Sequence, residues 1–144
     1  MMMRQIGRIL LTIGALLFMA GPCLAYQTMT KEQLKDMLGK PEVYVIDIRT
    51  PDQWNYTTNK IPGAIHEKKG EMATWGKKYP KDAVIVVYCN CDNESTSGAV
   101  AQTFEEMGYK KAYALKGGWM AWLMAKYPTE KKDAPETKPA EGKQ

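Results

Sequence analysis

Short apolar runs and amphipathic stretches alternate between residues 30 and 126, and this alternation predicts strands connected by helices. The run 83–88 (AVIVVY) is apolar throughout, which is typical of a central strand buried on both faces. Further strands are predicted at 43–46, at 112–115 and just after the Ile-Pro-Gly-Ala turn at 61–64. Strands and helices that alternate with short connections indicate an α/β domain with a mainly parallel sheet.

Residues that favour helix ends mark several boundaries. Thr30 precedes Gln33 with the spacing of a capping box, and Pro51 is suited to the first position of a second helix. The remaining helices are predicted at 70–79, 95–107 and 119–126. Sites in such folds form beyond the carboxyl ends of the strands, so we expect chemistry in the segment that follows 83–88.

The first 25 residues have a different pattern from the rest of the chain. Arg4 and Arg8 are their only charged residues, and the apolar run 9–21 follows. A basic start, an apolar run and a small residue at Ala25 predict a secretory signal cleaved near Ala25, which would leave a periplasmic bacterial protein. The run is shorter than the ~20 residues that span a bilayer, which disfavours an uncleaved membrane anchor. A lipid on Cys23 is a third interpretation, disfavoured by Pro22.

One domain is expected, spanning residues 26–127, followed by a disordered polar tail at 128–144 that has no large apolar residue. The chain has 20 Lys and Arg against 16 Asp and Glu; without Arg4 and Arg8, 18 basic residues remain and the net charge is +2. A charge this small does not indicate a nucleic-acid partner. The single histidine, His66, excludes a His-rich metal centre.

Cys89 and Cys91 lie in the segment that follows the predicted central strand. A disulfide between them would close a small strained ring, so in an oxidising compartment we expect reactive thiols rather than a structural crosslink. A thiol between a strand end and a helix N-terminus receives free backbone N–H groups, and the helix dipole lowers its pKa. Such a thiol is a nucleophile. The alternative interpretation is that both cysteines are small apolar fillers.

Four motifs resemble those of the single-domain rhodanese family of sulfurtransferases, over about residues 30–127. In chain order they are Asp-Ile-Arg at 47–49, Ile-Pro-Gly-Ala-Ile at 61–65, Tyr-Cys at 88–89 and Gly-Gly-x-x-x-Trp at 117–122. Lys60 stands before the second motif, where the family usually has His. Each motif is weak alone, but four in the right order and spacing are specific.

This resemblance implies a rhodanese-like fold: a central, mainly parallel five-stranded sheet with helices on both faces. It also implies a persulfide mechanism, in which a cysteine thiolate takes sulfur from a donor such as thiosulfate and passes it to a thiol or cyanide. Asp47 and Arg49 would orient the loop or pair structurally, and no cofactor is implied. The backbone N–H groups of the loop would cradle the transferred sulfur. The loop residues concerned are Asn90, Asp92, Asn93, Glu94, Ser95 and Thr96.

The loop departs from the family pattern in its charge. Asp92 and Glu94 stand where family loops often carry Arg and Gly, which predicts a raised thiol pKa and weak activity with the thiosulfate anion. A neutral or protein-bound persulfide is then the expected donor. The missing Arg argues against phosphatases that share the fold, because they need Cys-x5-Arg. The Cys-x-Cys run resembles a less common rhodanese subgroup whose loop has Pro at the position of Asp92.

Which cysteine is the nucleophile depends on the end from which the six-residue active-site loop is counted. Counting from the strand end favours Cys89, with Cys91 resolving a persulfide or sulfenic acid through a transient disulfide. Counting back from Gly108 favours Cys91.

Two other functions stay open: a thiol–disulfide redox protein that uses both cysteines, and a non-catalytic module whose acidic loop contacts a partner protein. His66 is expected at the surface or at a strand end rather than as a base, and two thiolates without His do not favour zinc.

Overall fold

The computed structural model describes residues 26–91 and 93–134, so the predicted signal segment, Asp92 and residues 135–144 lie outside the described residues. The strands are β1 (Thr28–Met29), β2 (Val43–Asp47), β3 (Asn59–Lys60), β4 (Ile65–His66), β5 (Val84–Tyr88), β6 (Ala112–Leu115) and β7 (Glu130–Lys131). The helices are α1 (Lys31–Met37), α2 (Pro51–Tyr56), α3 (Met72–Trp75), α4 (Ser95–Glu106) and α5 (Gly118–Met124). A short 3₁₀ turn, Lys69–Glu71, precedes α3.

The main sheet has five strands in the order β1–β6–β5–β2–β4, and every neighbouring pair is parallel. This arrangement confirms the predicted fold class. β5 is central and buried at every position, as its continuous apolar run predicts. In the register of β2 with β5, Asp47 lies opposite Tyr88, so both strands end at the same edge of the sheet.

Alternate residues of the central strands supply two separate cores, one on each face of the sheet. Ile85 and Val87 belong to the core that includes Trp75 of α3 and Phe104 of α4. Val84, Val86 and Tyr88 belong to the other core, which is completed by Leu34 of α1 and by Trp119 and Trp122 of α5. Helices therefore cover both faces, as predicted.

Both predicted helix starts are confirmed, and each is a full capping box. The hydroxyl of Thr30 accepts a hydrogen bond from the backbone of Gln33, whose side chain accepts one from Thr30 N. Thr50 and Gln53 repeat this arrangement around Pro51. The helix expected at 70–79 is shorter, ending at Trp75. None of the helices in the described part of the chain is long and apolar enough to cross a membrane.

The chain beyond residue 127 differs from the expected disordered tail. β7 pairs antiparallel with β3, and Trp122 Nε1 donates to the carbonyl of Pro128 (2.8 Å). Lys60, fully buried, donates to the carbonyl of Ala134 (3.2 Å) and lies 3.7 Å from the carboxylate of Glu130. The prediction was wrong for residues 128–134 because a polar segment has no hydrophobic signal, yet it supplies the partners of a buried cation.

Candidate active site

Cys89 directly follows β5 and is only 1% exposed. The backbone N–H of Cys91 donates to Cys89 Sγ at 3.3 Å. The thiol itself donates to Ser97 Oγ at 3.9 Å, near the start of α4. The single proton of the Ser97 hydroxyl is donated to the Glu94 carbonyl at 3.2 Å, so donation to a Cys89 thiolate requires this hydroxyl to turn away from that carbonyl. The strand end thus presents a sulfur atom to one backbone donor and one hydroxyl donor, which is suitable for holding a thiolate.

Burial raises the pKa of Cys89, and the neighbouring Cys91 thiol raises it further through a hydrogen bond. The Cys91 N–H and the Ser97 hydroxyl act in the opposite direction, because they favour the thiolate. The raised pKa has the direction predicted from the acidic loop, but its largest cause is burial, and the lowering expected from the helix N-terminus does not prevail. The loss of solvation of a thiolate that is almost out of contact with water outweighs the two donors.

Cys91 differs from Cys89 in its exposure. It is partly buried, and its Sγ donates to Thr96 Oγ1 at 3.7 Å. Asn90, between the two cysteines, has a buried Oδ1 without a hydrogen-bond partner among the described residues. The loop therefore holds one fully buried and one partly buried cysteine, separated by a single residue.

Glu94 connects the loop to the following helix and to α5. Its backbone is left-handed (φ 50°), and its carbonyl accepts from Gly98 N (2.6 Å) and from Ser97 Oγ (3.2 Å). Its carboxylate accepts a short hydrogen bond from the backbone N–H of Gly117. Glu94 thus connects the loop to both helices by hydrogen bonds, and its carboxylate binds a backbone N–H group instead of facing the loop without a partner.

Asn93 and Ser95 are exposed and stabilise the turn that enters α4. Ser95 N donates to Asn93 Oδ1 (3.3 Å), and the hydroxyl of Tyr26 donates to the Asn93 carbonyl (3.4 Å). The ring of Tyr26 also packs so closely on Gly98 that a side chain there would overlap it. These two predicted loop residues therefore shape the loop, while Thr96 contacts a cysteine.

The Gly-Gly motif forms the other wall of the site. Gly118 (φ 55°) has no room for a Cβ, which would collide with the carbonyl oxygen of Cys89. The next residue, Trp119, donates its backbone N–H to that same oxygen at 2.9 Å. Sequence reasoning identified the motif only as a family resemblance. Its physical role is to let the start of α5 approach the cysteine backbone.

Asp47 and Arg49 form a buried ion pair rather than a contact with the loop. Arg49 Nη2 lies 2.6 Å from Asp47 Oδ2, and Arg49 also donates to Thr57 Oγ1 and the Asn59 carbonyl. The hydroxyl of Tyr88 donates to Asp47 Oδ2 at 2.5 Å. Burial and the Asp47 charge raise the pKa of Tyr88 well above its ordinary value, so this hydroxyl stays protonated. The ion pair therefore fixes the strand end from which Cys89 extends.

His66 lies at the end of β4, as expected. Its ring stacks on Trp54 (centroids 3.9 Å apart), and its Nε2 is 3.1 Å from the Arg49 carbonyl. Trp54 and Trp119 both lie against the Arg49 guanidinium, at 5.1 and 4.4 Å from the ring centroids. These contacts give His66 a packing role.

A cavity of about 330 Å³ opens beside the loop at Thr96. Thr96 lines this cavity, and its hydroxyl also contacts Cys91 Sγ, so the cavity lies next to the partly buried cysteine. Two lysines of the segment before α3 line the same cavity. Neither was predicted from the sequence, because only the fold brings that segment close to the loop. The lining residues are Ile48, Arg49, Thr50, Pro51, Lys68, Lys69, Gly70, Glu71 and Thr96.

A family model for the rhodanese-like domain matches residues 30–125. The chain belongs to the rhodanese-like family. It is 28% identical over 106 residues to the thiosulfate sulfurtransferase GlpE of Coxiella burnetii, covering 74% of this chain and 94% of that protein. This similarity supports sulfur transfer as the general chemistry of the rhodanese-like site.

Two solved structures share the rhodanese-like fold. A Rhodopseudomonas palustris protein, described as a possible tyrosine phosphatase, is 27% identical with a TM-score of 0.62, over 73% of this chain and 85% of that one. A thiosulfate sulfurtransferase from Pseudomonas aeruginosa is 24% identical with a TM-score of 0.61, over 80% of this chain and 21% of that one. The residues six positions after Cys89 and Cys91 are Ser95 and Ser97, so neither cysteine begins the Cys-x5-Arg pattern of phosphatases.

Proposed function

We propose that this rhodanese-like protein transfers sulfane sulfur through a persulfide on Cys89, from a small sulfur donor to a thiol or to cyanide. The observation that carries the proposal is the position of Cys89 Sγ, which accepts the Cys91 N–H and adjoins the Ser97 hydroxyl at the end of β5. Hydrogen-bond donors directed at this sulfur stabilise its negative charge both when Cys89 attacks the donor and when Cys89 later leaves as a thiolate. Burial protects the resulting persulfide from solvent.

The reaction consists of two nucleophilic displacements. The Cys89 thiolate attacks the outer sulfur of the donor; a new S–S bond forms and the old one breaks. The leaving group takes the bonding electrons: it is sulfite from thiosulfate, and hydrosulfide or a shorter polysulfide anion from a hydropolysulfide. An acceptor thiolate or cyanide then attacks the outer sulfur of the Cys89 persulfide, and Cys89 leaves as a thiolate. Neither displacement requires an external oxidant or a cofactor.

We propose a small anionic donor, thiosulfate or a hydropolysulfide. The acidic loop predicts weak activity with such anions, but the Glu94 carboxylate is bound by the Gly117 N–H, and Lys68 and Lys69 line the cavity beside Thr96. Glu71 lines the same cavity and pairs with Lys68 at 3.4 Å, so Lys69 is the unbalanced positive charge of this segment, and it raises the local concentration of an anion. Double substitution of Lys68 and Lys69 by Gln should raise KM for thiosulfate at low ionic strength and have less effect at high salt, where exposed charges are screened.

Export is a further part of the proposal and is supported by the sequence pattern of residues 1–25. Cleavage near Ala25 would leave Tyr26 as the first residue of a periplasmic protein. N-terminal sequencing of the protein recovered from a bacterial periplasmic fraction tests this. Recovery of the uncleaved chain with the membrane fraction would contradict it.

Mass spectrometry after exposure to thiosulfate or polysulfide tests the main proposal. We expect a mass gain of one sulfur atom in the wild type and in Cys91→Ala, and none in Cys89→Ala. Loss of two hydrogens alone would support a redox function for the Cys89/Cys91 pair instead. If both thiols stay unmodified by every donor, the protein is a non-catalytic binding module.

A further inference from the structure

A persulfide on Cys89 would be difficult for a large acceptor to reach. The side chain is 1% exposed, and the added sulfur extends only about 2 Å beyond Sγ, the length of an S–S bond. The start of α5 closes one side, because Trp119 N is hydrogen-bonded to the Cys89 carbonyl and Gly118 packs on the same atom. Small ions can enter such a site, but a thiol carried by a folded protein cannot approach it closely.

Cys91 is the more exposed of the two cysteines. It is partly exposed, and its Sγ contacts Thr96, which lines the cavity. Its own backbone N–H donates to Cys89 Sγ, so the two residues are held together by the fold of the loop. The fully buried and the partly buried cysteine are therefore neighbours, with one residue between them.

We propose that Cys91 accepts the sulfane sulfur from Cys89 and delivers it to bulky thiol acceptors, a step that rests on the proposed Cys89 persulfide. The Cys91 sulfur attacks the outer sulfur of the Cys89 persulfide, one S–S bond forms, and the S–S bond at Cys89 breaks. The proton of the Cys91 thiol passes to the departing Cys89 sulfur. The products are a Cys91 persulfide and a Cys89 thiol, with no net oxidation or reduction.

The exchange is close to balanced in energy, because one alkyl persulfide replaces another. Its direction is then set by which persulfide is consumed, and the accessible one is consumed by large acceptors. Attack of Cys91 on the inner sulfur would instead release hydrosulfide and form a Cys89–Cys91 disulfide. A disulfide across one intervening residue is strained, which favours attack on the outer sulfur.

The relay predicts different outcomes for small and large acceptors in a Cys91→Ser variant. Protein loaded with thiosulfate or polysulfide is freed of excess donor, and sulfur delivery is then timed to cyanide and, separately, to a reduced thiol protein such as thioredoxin. In Cys91→Ser we expect Cys89 still to gain one sulfur atom, and we expect the rate of delivery to the thiol protein, divided by the rate of delivery to cyanide, to fall at least about tenfold relative to wild type. Ser95→Ala, an exposed loop change without a sulfur contact, is the matched control.

Mapping the added sulfur by alkylation and peptide mass spectrometry gives a second readout on the unaltered chain. The added sulfur should appear first on Cys89 and later on Cys91, and a Cys89→Ser variant should acquire none at either position. Equal delivery by Cys91→Ser and wild type to the thiol protein would overturn the relay while leaving the Cys89 proposal intact. Release of hydrosulfide with a disulfide would also overturn it. Direct loading of Cys91 in Cys89→Ser would instead overturn the proposal for Cys89.

Discussion

At the residue scale, two opposing influences determine the reactivity of Cys89. Burial removes water from the thiolate and raises the pKa of Cys89, while the Cys91 N–H and the Ser97 hydroxyl favour the thiolate. The site therefore holds a thiol that is mostly protonated near neutral pH but has donors ready for the charged form. Protection of a persulfide and fast attack by a thiolate are competing requirements, and the fold favours the first.

The raised pKa of Cys89 predicts a pH dependence of its reactivity. Below that pKa the thiolate fraction rises about tenfold per pH unit, so alkylation of Cys89 by iodoacetamide in a Cys91→Ser background should increase from pH 7 to pH 9 without a plateau. Ser97→Ala removes a group that lowers the pKa, and should shift the profile to higher pH. Ser95→Ala should leave it unchanged. A shift to lower pH in Ser97→Ala would contradict the assigned role of this hydroxyl.

Asp47 provides a second prediction, on stability. Asp47→Asn leaves the buried Arg49 guanidinium without its counter-charge, and we expect the free energy of unfolding in urea to fall by about 3 kcal/mol. Glu71→Gln, which removes an exposed partner of Lys68, should cost under about 1 kcal/mol. Similar losses in the two variants would show that the Asp47–Arg49 pair is not a main support of the strand end.

At the element scale, the active-site loop is held between two helices. α4 contributes Ser97, and the start of α5 contributes the Gly117 and Trp119 N–H groups that bind the Glu94 carboxylate and the Cys89 carbonyl. The loop geometry is thus determined by elements that are distant in sequence. This explains why a loop without the usual Arg and Gly can still present a thiol to a backbone donor.

Gly118 tests this dependence. Gly118→Ala would add a Cβ at a left-handed residue and against the Cys89 carbonyl, so we expect the free energy of unfolding to fall by about 2–4 kcal/mol. Because the change displaces the cysteine backbone, the alkylation rates of Cys89 and Cys91 should also differ from those of the wild type. Gly39→Ala is the control, because its φ is also left-handed (+81°) but its Cβ would meet open space. Its cost should be about 1 kcal/mol. Equal costs would show that the close approach of α5 to the loop is unimportant.

At the scale of the whole molecule, the C-terminal segment 128–134 closes the domain on the side of β3. It pairs with β3, and its Glu130 carboxylate accepts from Gly63 N at 2.7 Å while also facing the buried Lys60. Lys60 occupies the position where the resemblance expects His. A buried lysine requires partners, and this segment supplies them.

Truncation tests the role of the segment 128–134. A chain that ends at Tyr127 loses β7, the Glu130 carboxylate and the Pro128 acceptor of Trp122, so its unfolding free energy should fall by at least about 2 kcal/mol, since each lost buried hydrogen bond costs about 1–3 kcal/mol. A chain that ends at Ala134 retains these contacts and should match the full chain. Equal stability of the two truncated chains would mean that the segment is not part of the folded unit.

The sequence by itself determined the order of the helices and of four strands of the parallel sheet, and the position of the cysteines after the central strand; β1, β3 and β7 were not predicted. These properties follow from local periodicity, capping residues and turn residues, which act over a few positions and are therefore visible in the chain. The position of Cys89 could be predicted for the same reason, because a continuous apolar strand ends one residue before it.

The tertiary structure alone decided the environment of that cysteine. Burial outweighs the helix N-terminus in its pKa, Glu94 binds Gly117 instead of facing the substrate, and Lys68 and Lys69 reach the cavity from another segment. Solvation and electrostatic interaction depend on distances in space, and the groups concerned are separated by 20 or more positions in the chain. The difference in exposure between Cys89 and Cys91, on which the proposed relay depends, arises in the same way.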